Sequence, residues 1–184
     1  MSLTVTHVRR RLARISAPAR IDDLNADEFE GYASLFGVPD GVGDVVAKGA
    51  FAASLRKRPA DKVRMLYQHF THEPIGVWEE IREDWRGLYV RGRLIPEVTR
   101  AREVMALIRE GALNGLSIGF RTIRASRDGA SKSRTLAEIE LWEISIVTFP
   151  LLKESQVTAI GAKHDALAAH IRKVSRRIAN TSKE

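Results

Sequence analysis

The sequence predicts an α+β fold: a mainly antiparallel, β-barrel-like core with a few surrounding helices. Three observations predict it. Segments that alternate apolar and polar residues outnumber segments of helical period. Stretches rich in Gly, Pro and Asp separate these segments at short intervals. One well-marked amphipathic helix and one short one complete the middle of the chain, and no internal repeat runs through its 184 residues. A chain of this length fits one domain with its own core.

The elements follow in order. Residues 1–27 are expected to form a flexible basic arm, because residues 1–20 hold five Arg and no acid. The folded domain is expected over 28–161. "FEGYASLFGV" reads as a strand, and "PDGVGD" as a loop turned by Pro39, Gly41 and Gly43. "GAFAASLRKR" reads as a short helix. "KVRMLYQH" alternates Val63, Met65 and Tyr67 on one face, so it reads as a strand ending near His69, with His72 in the loop beyond. "IGVWEEIRED" and "GLYVRGRLI" read as a hairpin about "DWRG". In "TRAREVMALIREGA", Ala101, Val104, Met105 and Ile108 fall at i, i+3, i+4 and i+7, and Gly111 offers a C-terminal stop. "GLSIGFR" is the next strand. After the polar loop "SRDGASKS", "RTLAEIELWEISIVTFP" is another strand region. It places Trp142, Ile144 and Ile146 on one face and Glu143 and Ser145 on the other. Residues 162–184 are expected to form a basic amphipathic tail, with Leu167, Ile171, Val174 and Ile178 on one helical face.

Composition narrows the function classes. The formal charge is +7, but it resides in the two tails, and the middle of the chain carries slightly more acid than base. Direct nucleic-acid recognition is therefore not expected, since a binding fold would carry the charge itself. Cys is absent, which excludes disulfides, thiolate metal sites and a cysteine nucleophile. No apolar run approaches the roughly 20 residues of a membrane-spanning helix. "MSLTVTHVRRRLAR" has no apolar segment after its arginines, so no secretory signal is expected. His69 and His72 stand three apart, but the pair lacks helical spacing and a third ligand. Neither a metal nor another cofactor is expected.

Ser117 lies between Leu116 and Ile118, followed at once by Gly119. On a strand, Leu116, Ile118 and Phe120 would face the core, and Ser117, Gly119 and Arg121 the other side. That face is either an ordinary polar strand surface or a nucleophile with support. In the second reading, Gly119 leaves room for a substrate backbone, and Arg121 lends charge where an oxyanion develops. A serine hydroxyl needs a base to take its proton. His7, His164 and His170 fall in the tails, so His69 is the preferred base and His72 the substitute. Glu143, an acid in an apolar strand, is the candidate to orient the base. The alternative for Glu143 is a salt bridge with one of the many Arg.

Taken together, "GYASLFGVPDGVGDVVAKGAF", "LYQHFTHEPIG", "GLYVRGRL", "ALIREGALNGLSIGF" and "LWEISIVTFP" resemble, in this order, the HK97-type phage prohead proteases. The resemblance runs from about Gly31 to Ala159. That family is related in fold to the herpesvirus assemblins, so it implies an assemblin-like barrel and makes 28–161 a protease domain. It implies Ser117 as nucleophile and His69 as base, with Glu143 matching the acid of the last motif. One departure stands out: family members often carry an acid directly after the histidine, where this chain has Phe70. If that acid orients the base, Glu143 or His72 must do so here.

The resemblance further implies a serine endopeptidase of capsid maturation. It would cleave the scaffold segment of the major capsid protein, and itself, inside the immature capsid in the cytoplasm of the bacterial host. It leaves a homodimer open. The competing reading is a catalytically inactive scaffold or assembly protein of the same fold.

Overall fold

Apolar side chains that recur at every second residue bury one face of a strand. Here they draw eight such segments into one curled sheet. The computed structural model describes residues 24–127 and 133–161. Residues 1–23 of the expected arm, the expected C-terminal tail and their three histidines lie outside the described residues. The strands are β1 (Glu28–Leu35), β2 (Asp44–Val46), β3 (Arg64–Tyr67), β4 (Phe70–Glu83), β5 (Gly87–Leu94), β6 (Gly115–Arg127), β7 (Arg134–Val147) and β8 (Val157–Ile160). The helices are α1 (Ala52–Lys57) and α2 (Thr99–Arg109), with a single 3₁₀ turn at Ala60–Lys62. Strands thus dominate, and helix content is low.

β1 pairs with β5 and β8, β4 with β3 and β5, and β6 with β7, all antiparallel. The mainly antiparallel expectation needs one refinement, because β2 and β3 both run parallel to β7. β7 lies between β6 on one side and β2 and β3 on the other. The sheet also curls back on itself. Gly115, at the start of β6, bridges to Gln156 just ahead of β8. Leu116 N–H donates to Ser155 O (2.9 Å), and Val157 N–H to Asn114 O (2.8 Å). Beyond this short seam, the edge of β6 away from β7 is paired to no strand among the described residues.

The core fills the inside of the curl. Phe29, Leu88, Leu94, Leu116, Ile144 and Ile146 are fully buried, and Phe29 meets Trp78 edge-on with ring centroids 5.6 Å apart. α2 buries the four residues its periodicity marks, Ala101, Val104, Met105 and Ile108. Gly111 follows with φ +72°, the left-handed conformation that ends a helix at little cost only for glycine. Among the described residues, no helix is long and apolar enough to cross a membrane.

One departure from simple alternation shapes the site. β6 and β7 pair Gly119 with Glu143, but the next pair is Phe120 with Leu141, so β7 carries one extra residue there. This β-bulge reverses the phase of the strand. Trp142, expected on the core face with Ile144 and Ile146, is instead 46% exposed, and Leu141 is fully buried in its place. The Leu141 N–H is satisfied by the buried Ser54 Oγ of α1 (2.9 Å).

Candidate active site

Two strands and a hairpin turn bring the candidate residues to one point. Ser117 is the third residue of β6, on the face opposite Leu116. Glu143 is on β7, beside Gly119 in the ladder. His69 is not on a strand. It is the second residue of a two-residue turn between Tyr67 and Phe70, which pair with each other. Both turn residues have positive φ, 52° for Gln68 and 61° for His69. A tight hairpin turn of this hand suits the twist of its strands but favours Asn and Gly. Gln and His adopt it under strain, of a kind that persists when surrounding contacts over-determine the conformation. Those contacts come from β7 and from Thr148 just beyond it. Gln68 N–H donates to Ile146 O (3.0 Å). The Gln68 amide donates to Thr148 Oγ1 (2.6 Å) and accepts from Thr148 N–H (3.3 Å). His69 N–H donates to Ser145 Oγ (3.1 Å).

The side chains then connect in a line. Ser117 O–H donates to His69 Nε2 (2.9 Å). His69 Nδ1–H donates to Glu143 Oε1 (2.7 Å). An ionised carboxylate accepts only, so Glu143 fixes this tautomer and leaves Nε2 free to take a proton. Glu143 Oε2 accepts from the Ser145 hydroxyl (2.7 Å). The hydrogen bond to Glu143 raises the His69 pKa above its ordinary 6.5, with partial burial pulling the other way and the charge of Glu143 adding to the rise. The His69 side chain is 44% exposed, against 13% for Glu143. An incoming group can therefore reach the imidazole while the acid stays shielded. The arrangement has the geometry of a serine-hydrolase triad.

Two supporting residues take other roles than expected. A Cβ on Gly119 would lie 2.7 Å from Glu143 Cδ and 2.8 Å from Cγ, and closer still to Oε1. The space above Gly119 is therefore filled by the Glu143 carboxylate, not left open for a substrate backbone. Arg121 does not point its charge at Ser117. It pairs with Glu140 at 2.7 Å and its side chain is 62% exposed. His72, expected in a loop, belongs to β4, where its ring stacks on Phe70 (5.6 Å between centroids). It lies in a bulge of β4, since Tyr67 pairs with Phe70 and Leu66 with Pro74.

Sequence reading passed over Ser145, Gln68 and Thr148. The alternation did place Ser145 on the face of Glu143. The strained turn that needs all three had no signature, because Gln-His is not a preferred turn pair. An apolar groove adjoins the site. It is lined by Val38, Ile118, Phe120, Leu151 and Ser117 itself, with Asp40 and Asp44 also on its wall. Leu116 N–H points across the edge of β6 away from β7, so two residues on Ile118 N–H does as well.

The fold is shared with viral proteases of solved structure. The bacteriophage T4 capsid assembly protease superimposes with a TM-score of 0.56 at 16% identity, over 67% of this chain and 82% of that one. The KSHV protease, solved with a hexapeptide phosphonate inhibitor, gives 0.51 at 13% identity, over 81% and 76%. At such identities the likeness is one of fold. Sequence then places the chain in a family. Residues 16–170 match the caudovirus prohead serine protease family, and the chain belongs to that family. It is 37% identical over 134 residues to the prohead protease of Enterobacteria phage HK97, covering 72% of this chain and 59% of that protein. It is 27% identical over 154 residues to the prohead protease of Escherichia phage T5, covering 76% and 70%. The chain thus aligns with less than two thirds of the HK97 protein.

Proposed function

We propose that this chain is the serine endopeptidase of a phage-like particle. It cleaves the scaffold segment of the major capsid protein, and itself, inside the immature capsid within the bacterial host. The observation that carries the reading is the unbroken Ser117–His69–Glu143 line, with hydrogen bonds of 2.9 and 2.7 Å. Family membership and the fold of capsid proteases support the substrate class.

The mechanism is acyl transfer. His69 Nε2 takes the Ser117 proton as Oγ attacks the scissile carbonyl, and Glu143 stabilises the imidazolium that forms. The Ile118 N–H, on the open edge of β6, holds the oxyanion. With Arg121 engaged by Glu140, the backbone takes the role first expected of that guanidinium. His69 then protonates the leaving amine, and water, deprotonated by His69, releases the acyl group. No cofactor enters any step. The basic tails, 1–27 and 162–184, suit docking to acidic scaffold segments, and no direct nucleic-acid recognition is expected of the middle domain.

Intact-mass analysis of wild type and Ser117→Ala tests this, each incubated alone and with the particle's own major capsid protein. Wild type should trim itself or the capsid protein, and the variant should leave both whole. Equal trimming by both would remove Ser117 from the chemistry. No trimming by either, including inside assembled shells, would favour the inactive scaffold reading.

A further inference from the structure

We propose that Ser145 is a positioning residue for the Ser117–His69–Glu143 set, because its hydroxyl closes a ring of hydrogen bonds that begins and ends on His69. The inference rests on the reading of that set as catalytic and adds a member to it.

The ring runs through four groups. His69 backbone N–H donates to Ser145 Oγ (3.1 Å), Ser145 O–H to Glu143 Oε2 (2.7 Å), and His69 Nδ1–H to Glu143 Oε1 (2.7 Å). Each direction is forced. A backbone N–H can only donate, so Ser145 Oγ accepts there and its own proton is free for the carboxylate, which can only accept. Both Glu143 oxygens are thereby held, and the carboxylate cannot swing about its terminal torsion, which is otherwise soft. The same hydroxyl holds the turn at His69 in its left-handed conformation. The main chain and the ring of the base are thus fixed from one point. Ser145 is fully buried, and its neighbours Ile144 and Ile146 face the core, so its hydroxyl serves the site and not solvent.

A buried serine can also do no more than satisfy a backbone N–H. The two roles separate in the titration of His69. NMR of the full chain carrying Ser117→Ala, which prevents self-cleavage, reads the His69 pKa and its hydrogen-bonded Nδ1 proton. Adding Ser145→Ala should lower that pKa toward 6.5 and weaken the proton signal. Adding Glu143→Gln should do so more strongly. In the active background, Ser145→Ala should lower kcat on the order of 10²-fold, as a misplacement of about 1 Å does, with little change in KM. In a Glu143→Gln background the same change should cost far less, because its target is already lost.

An unchanged His69 pKa, or a loss equally large in both backgrounds, would overturn the proposal. Should Ser145→Ala not fold, Ser145→Cys keeps the size with a weaker partner and should shift the pKa less in the same direction. No shift with a folded Cys variant would also overturn it. A wild type that cleaves nothing, while its His69 titration responds as described, would sink the endopeptidase reading and leave the ring standing.

Discussion

Gly119→Ala tests the site at its tightest point. Gly119 pairs with Glu143 in the ladder, and the φ of Gly119 is one that alanine adopts freely. The added methyl meets the acid and not the backbone. Glu143 Cδ would lie 2.7 Å from the new Cβ, where ordinary contact begins at 3.4 Å. The carboxylate must therefore move by at least about 0.7 Å. Its bond to His69 Nδ1 is 2.7 Å, and such a bond weakens quickly beyond about 3.2 Å or when bent. A displacement of about 1 Å at a catalytic group can cost ~10²-fold, which corresponds to about 2.7 kcal/mol of transition-state stabilisation. The assay is kcat/KM on a peptide spanning the cleaved junction, with thermal unfolding as the control for folding. The shorter acid in Gly119→Ala/Glu143→Asp should recover part of the loss, because it withdraws the colliding carbons. A single variant with wild-type rate and unshifted His69 pKa would refute the reasoning. So would a loss matched by a collapse in stability.

Other expectations follow from the same geometry. The pKa of His69 is raised and the base must be neutral, so activity should rise with pH along a limb centred above 6.5. Glu143→Gln should cut the rate by about 10⁴-fold, the scale set when a triad acid is lost, and move that limb down toward 6.5. The sign for stability is opposite. The charged His69–Glu143 pair contributes below the unfolded pKa of about 6.5 and is lost as pH rises through the higher folded value. Thermal melts of wild type against Glu143→Gln should therefore converge at alkaline pH. The bulge also inverts what alternation alone implies for its neighbours. Leu141→Ala should cost about 2–5 kcal/mol in urea unfolding, whereas Trp142→Ala, at an exposed position, should change stability by about 0.5 kcal/mol or less.

Much of this architecture is legible in the sequence, and the misses share one cause. The α2 periodicity names its four buried residues, and the "DWRG" hairpin joins β4 to β5. The serine face of β6 follows from alternation. Alternation fails at Trp142, because one extra residue in β7 reverses the phase and a bulge has no local signal there. His72 is displaced from loop to strand for a related reason, since the turn closes two residues earlier than apolar content suggests. Gly119 was legible as a clearance but not as to its occupant, which lies 24 positions later on the neighbouring strand. Arg121 is legible as a charge, but its partner Glu140 comes within reach only through the register of β6 and β7. The gathering of Ser117, His69 and Glu143 depends on β6, β7 and the turn between β3 and β4, which are distant in sequence, so the individual residues suggest it only in combination.

The turn at Gln68 and His69 carries a further consequence. Glycine is the residue that hairpin turns of this hand favour at the position His69 occupies. On the proposed reading of His69 as base, folding preference and proton transfer compete for one residue, and the chemistry takes it. His69→Gly would relax the backbone and abolish the base at once, so at this position a more stable protein and an active one are different sequences. The bonds from Ile146, Ser145 and Thr148 can be understood as the means by which the fold retains an unfavourable conformation that it cannot do without.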